Sequence, residues 1–154
     1  MIAKKSELIL ESFVILESDI KFNVPQNNEK LDINETLNSY PVNIDFNIQH
    51  SLSIELYRVV VSIDINADFE TPKPGYSIKL MGIGFFKFDE ASQLTEQNKA
   101  QMLQTSALSI CITNLRFYIA NQTSYFPWGS FSFHAIDVQD LLMKKTELTS
   151  EECE

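Results

Sequence analysis

The stretch VNIDFNIQ, from Val42 to Gln49, places an apolar residue at every second position. Val42, Ile44, Phe46 and Ile48 fall on one side, and Asn43, Asp45, Asn47 and Gln49 on the other. A side-chain period of two belongs to a strand with one face buried and one in water, and a helix cannot satisfy it. The pattern continues from Leu52 to Phe69 with a change of phase. Leu52, Ile54 and Leu56 are even-numbered, whereas Tyr57, Val59, Val61, Ile63 and Ile65 are odd. Such a shift predicts a bulge or a turn near Leu56. TPKPG, Thr71 to Gly75, is a turn by composition. The run after it, YSIKLMGIGFFKF, carries Tyr76, Ile78, Leu80, Phe86 and Phe88 on one face, with Gly82 and Gly84 between them.

A first strand over Glu11 to Phe22 brings the count to four. It is joined to the second by the polar segment from Val24 to Pro41, punctuated by Leu31, Ile33, Leu37 and Tyr40. A connection of that length is functional or disordered more often than it is a simple turn. From about Thr95 to Thr123 the period changes to that of a helix. Leu108, Ile112, Leu115 and Ile119 share a narrow stripe with Cys111 and Tyr118 beside it, while Ile110 and Phe117 fall nearly opposite. A helix with apolar residues on two sides has two partners, here the sheet and something else, another subunit being one candidate. A shorter helix follows, with Asp137 as N-cap, Asp140 in the first turn, and Lys144 and Lys145 suited to its C-terminal end. The expected fold class is α+β: a four-stranded antiparallel sheet packed by a long helix and a short C-terminal helix. Residues 1–145 form one domain, and 146–154 are expected to be an acidic, disordered tail.

The formal net charge is −9 and the pI near 4.7. Such a field repels phosphates, and no basic stripe compensates for it, so nucleic acid is not an expected partner. No run approaches the roughly 18 apolar residues of a membrane span, and the N-terminal MIAKKSELILESFVIL is too interrupted for a signal peptide. Cys111 and Cys153 make no disulfide framework. The expectation is a cytoplasmic protein without membrane insertion.

No catalytic signature stands out, and neither a metal nor another cofactor is expected. His50 and His134 occupy no ligand spacing. Cys111 lies in an apolar helical stretch that suits a structural thiol better than a nucleophile. Gly82-Ile83-Gly84 lacks the third glycine and following helix of a phosphate loop, so a bulge or close packing explains it better. What does stand out is SYFPWGSFSFHAIDVQDLL, Ser124 to Leu142, with Tyr125, Phe126, Trp128, Phe131 and Phe133 crowded around Pro127 and Gly129. Three readings are open: ordinary core, the wall of a ligand pocket, or a surface kept for apolar partners.

Taken in order, DIKFNVP (Asp19 to Pro25), YRVVVSIDINA (Tyr57 to Ala67), GIGFF (Gly82 to Phe86) and the aromatic stretch resemble the SecB protein-export chaperone family over roughly Phe13 to Met143. Phe126-Pro127 and Ile136-Asp137 occupy the places of that family's FP and Phe-Asp pairs. The resemblance implies an ATP-independent holdase, a homotetramer built as a dimer of dimers, that binds unfolded or pre-secretory polypeptides in apolar grooves. It makes Tyr40, Tyr125, Phe126, Trp128 and Phe131 candidate client contacts, and puts Ile78, Leu80, Ile110 and Phe117 near subunit interfaces. Asp19 matches an acidic contact to the SecA motor. Two further positions depart: Asn23 stands where an acidic residue is expected, and Lys79 replaces a glutamate, which weakens the expectation of a motor contact. SecB-like proteins also serve antitoxins, so a dedicated single-partner module is the alternative to an export chaperone.

Overall fold

The computed structural model describes all residues except 1, 27–30, 52, 54, 68–71 and 152–154. Four strands, β1 (Leu8–Asn23), β2 (Val42–Ser51), β3 (Leu56–Ile65) and β4 (Gly75–Phe88), form one antiparallel sheet in the order β1-β4-β3-β2. Helix α1 (Ile33–Asn38) lies in the β1–β2 crossover, and α2 (Glu96–Met102), α3 (Leu108–Thr123) and α4 (Val138–Glu151) follow the sheet. This is the expected α+β architecture. At the phase change near Leu56 the strands form a hairpin in which Ser51 pairs with Leu56 and Glu55 stands at φ +46°, while Leu52 and Ile54 lie outside the described residues. The hairpin's register pairs Phe46 with Val61 and Ile44 with Ile63, so even residues of β2 and odd residues of β3 share the core face.

β1 defeats a simple alternation. Register shifts between Leu10 and Ser12 and between Ile15 and Glu17 change the parity of its inward residues twice. Leu10, then Phe13 and Ile15, then Ile20 and Phe22 all pack on the core, while Val14 and Leu16 stay exposed. On β4 the inward row is Tyr76, Ile78, Leu80, Gly82, Gly84 and Phe86. The two glycines make room for α3: a Cβ at Gly82 would meet Phe13 and Leu115, and one at Gly84 would meet the Cys111 Sγ and Phe86. Leu108, Cys111, Ile112, Leu115 and Ile119 of α3 are buried against this face. Ile78 and Leu80 are buried here too, at 0% and 2% exposure. Their even positions on β4 point them under α3, so they form core rather than a surface within reach of another subunit.

The long helical stretch begins where expected, with the Thr95 hydroxyl accepting the Asn98 N–H. It carries one wide π turn at Leu103–Ala107 between α2 and α3. Asp137 caps α4, its Oδ1 accepting the N–H groups of Gln139 and Asp140. α4 runs on to Glu151, past the expected end of ordered structure at 145, so Lys144 and Lys145 lie mid-helix rather than at its C-terminus. Continued helix after Lys145 needs no new apolar contact, because Thr146, Glu147 and Leu148 are exposed or at the groove rim.

Between β3 and β4 the chain turns on Asn66, buried and at φ +51°. Its Nδ2 donates to the carbonyls of Lys73 and Tyr76, and its Oδ1 accepts the Lys73 N–H. Replacing it leaves these backbone groups without their partner, and an alanine tolerates the positive φ poorly. Asn66→Ala is expected to lower the unfolding free energy by about 2–3 kcal/mol, read as a lower urea midpoint at unchanged slope. A loss below about 0.5 kcal/mol would mean that strand pairing alone holds the turn.

Candidate functional site

The aromatic stretch after α3 is anchored before it is anything else. The Thr123 hydroxyl donates to the Ile119 carbonyl at 2.7 Å and accepts the Phe131 N–H at 2.8 Å, tying the helix end to the returning chain. Phe131 and Phe133 are buried, at 5% and 3% exposure. Phe126 and Trp128 are half-buried and meet the Tyr76 ring edge-on, and Trp128 also meets Phe22. Gly75, at φ +94°, leaves the space that Trp128 and the Tyr40 hydroxyl occupy. Of the five candidate client contacts, Tyr125 alone is largely exposed, at 89%.

Tyr40 and Phe131 belong to the core as well. Tyr40 is 6% exposed, packs edge-on against Phe131, donates to the Pro74 carbonyl at 2.6 Å and accepts the Tyr76 N–H at 3.0 Å. The end of the crossover is thereby fixed to the start of β4. A ring so engaged is a wall for the neighbouring space rather than a free contact.

That space is a groove whose course along β2 the sequence did not disclose. Three cavities follow one another along β2, the outermost strand on that side of the sheet. The first, about 70 Å³, lies between Leu37, Tyr40 and Val42 and the Phe131–Ile136 segment. The second, about 390 Å³, lies between Val42, Ile44 and Phe46 on the strand and Ile136, Leu141 and Leu148 on the α4 side. The third, about 210 Å³, continues past Phe46 to Ile48 and Leu142. Val42 and Ile136 line both the first and second, and Phe46 and Lys145 both the second and third, so each cavity adjoins the next. Tyr40 to Ile48 spans roughly 25–30 Å of extended chain. A hydrogen bond from the α1 side, between Asn38 Oδ1 and His134 Nε2 at 3.1 Å, closes one end.

The rim is charged. Asp45 on β2 faces Lys145 across the opening, and Asp137, Asp140 and Lys144 lie on the α4 side. Lys145 bonds Asp45 across it, while Lys144 bonds Asp140 on its own helix. The Asp45 carboxyl is held below the usual carboxylate range, chiefly by its hydrogen bond from Lys145. Apolar floor, length and mixed rim suit an extended polypeptide, and they offer no convergent set of reactive groups. His50 stacks on Tyr57, 4.2 Å between centroids, and the Cys111 thiol is buried and pushed up to about 12. Among the described residues no cluster of three or more His, Cys, Asp or Glu side chains is placed to hold a metal. No helix among them is long and apolar enough to cross a membrane.

The other expected positions lie elsewhere. Phe117 is 72% exposed on the face of α3 turned from the sheet, and Ile110 is half-buried. Asp19, on the outer face of the sheet, is paired in register with Lys79 and bonded to Lys21 at 2.7 Å. Two lysines thus neighbour the one acidic motor contact that was matched. Asn23 closes the same strand, opposite Gly75.

No protein-family model matches the chain, and no curated protein does. Among solved structures, it is similar to a SecB-like chaperone from Mycobacterium tuberculosis, solved in complex with a peptide from an antitoxin, at 9% identity and a TM-score of 0.60. That match covers 85% of this chain and 91% of the other. A protein of unknown function from Streptococcus agalactiae matches at 8% identity and a TM-score of 0.39, over 84% and 98% of the two chains. The first likeness shows that the fold is SecB-like.

Burial ties the crossover anchor to pH. The Tyr40 phenol is pushed up to about 12 from an ordinary value of 10.0, mainly because desolvation disfavours its anion. Below pH 10 it is protonated folded and unfolded alike. As pH rises from there through 12, the unfolded chain ionises first, and the stability tied to the protonated phenol is lost. Cys111 acts with the same sign from its ordinary value of 9.0 upward. Urea midpoints measured between pH 8 and 11 are expected to fall, and Tyr40→Phe should flatten the part of the slope above pH 10. An unchanged slope in that variant would place the titration elsewhere.

Proposed function

We propose that the chain is an ATP-independent molecular chaperone that holds unfolded polypeptides in extended form along β2, and that it acts by binding rather than catalysis. The observation that carries this reading is the groove: a row of adjoining cavities, apolar in its floor and bounded by an edge strand. Apolar contact of this kind makes little directional demand and tolerates many sequences. The SecB-like fold supports the reading, since the similar chaperone was solved with an antitoxin peptide bound.

That same complex favours a dedicated role, with an antitoxin or another single partner as client, over an export role. The neighbourhood of Asp19 points the same way, because Lys21 and Lys79 offset the acidic surface a SecA-type motor would meet. A homotetramer is part of the proposal. Its dimer–dimer interface would cover Phe117 on α3, which is 72% exposed, with the half-buried Ile110 on the same helix.

Two measurements test this. Near-stoichiometric protein should suppress aggregation of a reduced, unfolded client, and Leu148→Asp at the groove wall should weaken client binding about three- to tenfold, or ~1 kcal/mol. Failure against several unfolded clients, with one protein co-purifying at fixed stoichiometry, would favour the single-partner form. Failure with no co-purifying partner would end the chaperone reading. Sedimentation should give about four times 17.6 kDa, and Phe117→Lys should reduce it to dimers. A wild-type monomer would remove the tetramer.

A further inference from the structure

The outward main-chain groups of β2 can be assigned. The Asn66 N–H donates to the Pro41 carbonyl, which makes these two a hydrogen-bonded pair. By antiparallel alternation Asn43 with Asp64 and Asp45 with Ser62 are also hydrogen-bonded pairs. The N–H and C=O groups of Val42, Ile44, Phe46 and Ile48 therefore point away from β3, along the groove. A row of this kind is a template for another strand.

At its centre the row is stopped. The Asp45 carboxylate turns back to accept the N–H of Phe46 at 2.8 Å. The same oxygen takes the Lys145 ammonium from α4 at 2.5 Å, and that ammonium stands 5.8 Å from the centroid of the Phe46 ring. One carboxylate thus occupies the central edge donor and ties α4 across the groove. The tie is light. The Asp45 side chain is 68% exposed and that of Lys145 37%, and ion pairs so placed are weak and sensitive to salt. The apolar residues of α4 nearest the strand, Leu141 and Leu142, are half-buried, so packing alone does not clamp the helix down.

We propose that Asp45 and Lys145 form a removable plug on the β2 edge, and that its release lets an extended client segment add to the sheet as a fifth strand. This rests on the polypeptide-holding reading above and specifies how that groove admits its client. Main-chain hydrogen bonds to β2 would supply affinity without sequence demand. The alternating cavities at Val42, Phe46 and Ile48 would take every second side chain of the incoming strand. Plugged, the edge is protected from casual pairing by a charge at its centre.

The probe is a short, end-blocked, fluorescent peptide of alternating leucine and serine, uncharged so that salt acts on the plug rather than on the ligand. Asp45→Ala and Lys145→Ala should each bind it about two- to fivefold tighter than the wild type. Raising the salt concentration should bring the wild type towards the variants by more than it changes Asp45→Ala. A version of the peptide N-methylated at alternate amides should bind Asp45→Ala about tenfold more weakly than the parent. Equal affinities for wild type and both variants would overturn the plug. Equal affinity for the two peptides would overturn strand addition. Absence of binding by the wild type and both variants would sink the polypeptide-holding reading as well.

Discussion

Tyr40 and Phe131, which wall the groove at its crossover end, are both attached to Tyr76. Its N–H donates to the Tyr40 hydroxyl, its carbonyl accepts the Asn66 Nδ2–H, and its own hydroxyl donates to the Gly129 carbonyl at 2.5 Å. Its ring lies within 5.6–6.4 Å, centroid to centroid, of Phe22, Phe126, Trp128 and Phe131. One fully buried side chain at the start of β4 therefore fixes the crossover, the β3–β4 turn, the end of β1 and the aromatic loop together. Rings are suited to this. They bury much area at low entropic cost, and the Tyr and Trp among them carry a polar handle as well. The groove wall is rigid at this end because its parts converge on one residue, while α4 at the other end rests on half-buried leucines and a surface ion pair.

The elements that were legible in the sequence are those specified locally. β2, β3 and β4 follow from strict alternation, the long helix from its stripe, and the last helix from Asp137. The glycine pair on β4 reads correctly as close packing, for a reason visible in the fold: Leu115 and Cys111 need the space that a Cβ would take. What escaped depends on which element lies next to which. Nothing within VNIDFNIQ says that it ends the sheet, because edge and central strands share one alternation when a single face is buried. Tyr40 and Phe131 look like solvent-facing candidates beside turns, yet they find each other and Tyr76 across long stretches of sequence. Ile78 and Leu80 are ordinary core for the same reason. Asn66 carries no signal beyond its type, since its partners are backbone atoms.

An open strand edge beside apolar cavities is a hazard as well as a site, for it invites pairing with any exposed strand, including one from another copy. Two features here reduce that hazard without closing the groove. The outward row of β2 is polar, Asn43, Asp45, Asn47 and Gln49, so the sheet's far face gives an intruder nothing apolar to grip. The overall charge of −9 separates copies at long range. Solubility and stickiness are thus assigned to different surfaces of one strand.

The same division explains how so little sequence identity can go with a shared architecture. A site that reads side chains by hydrogen bonds must keep particular residues, because each unmet polar group in a buried site is costly. A groove that offers apolar volume and a main-chain edge must keep only spacing, depth and strand order, which many residue sets supply. At 9% identity to the mycobacterial SecB-like chaperone, what this chain shares with it is the fold, at a TM-score of 0.60. Spacing, depth and strand order are the properties that an extended polypeptide would encounter. Under the proposed holding role, client preference would be found in the few side chains that interrupt the groove, and in this chain these are the charges at its rim.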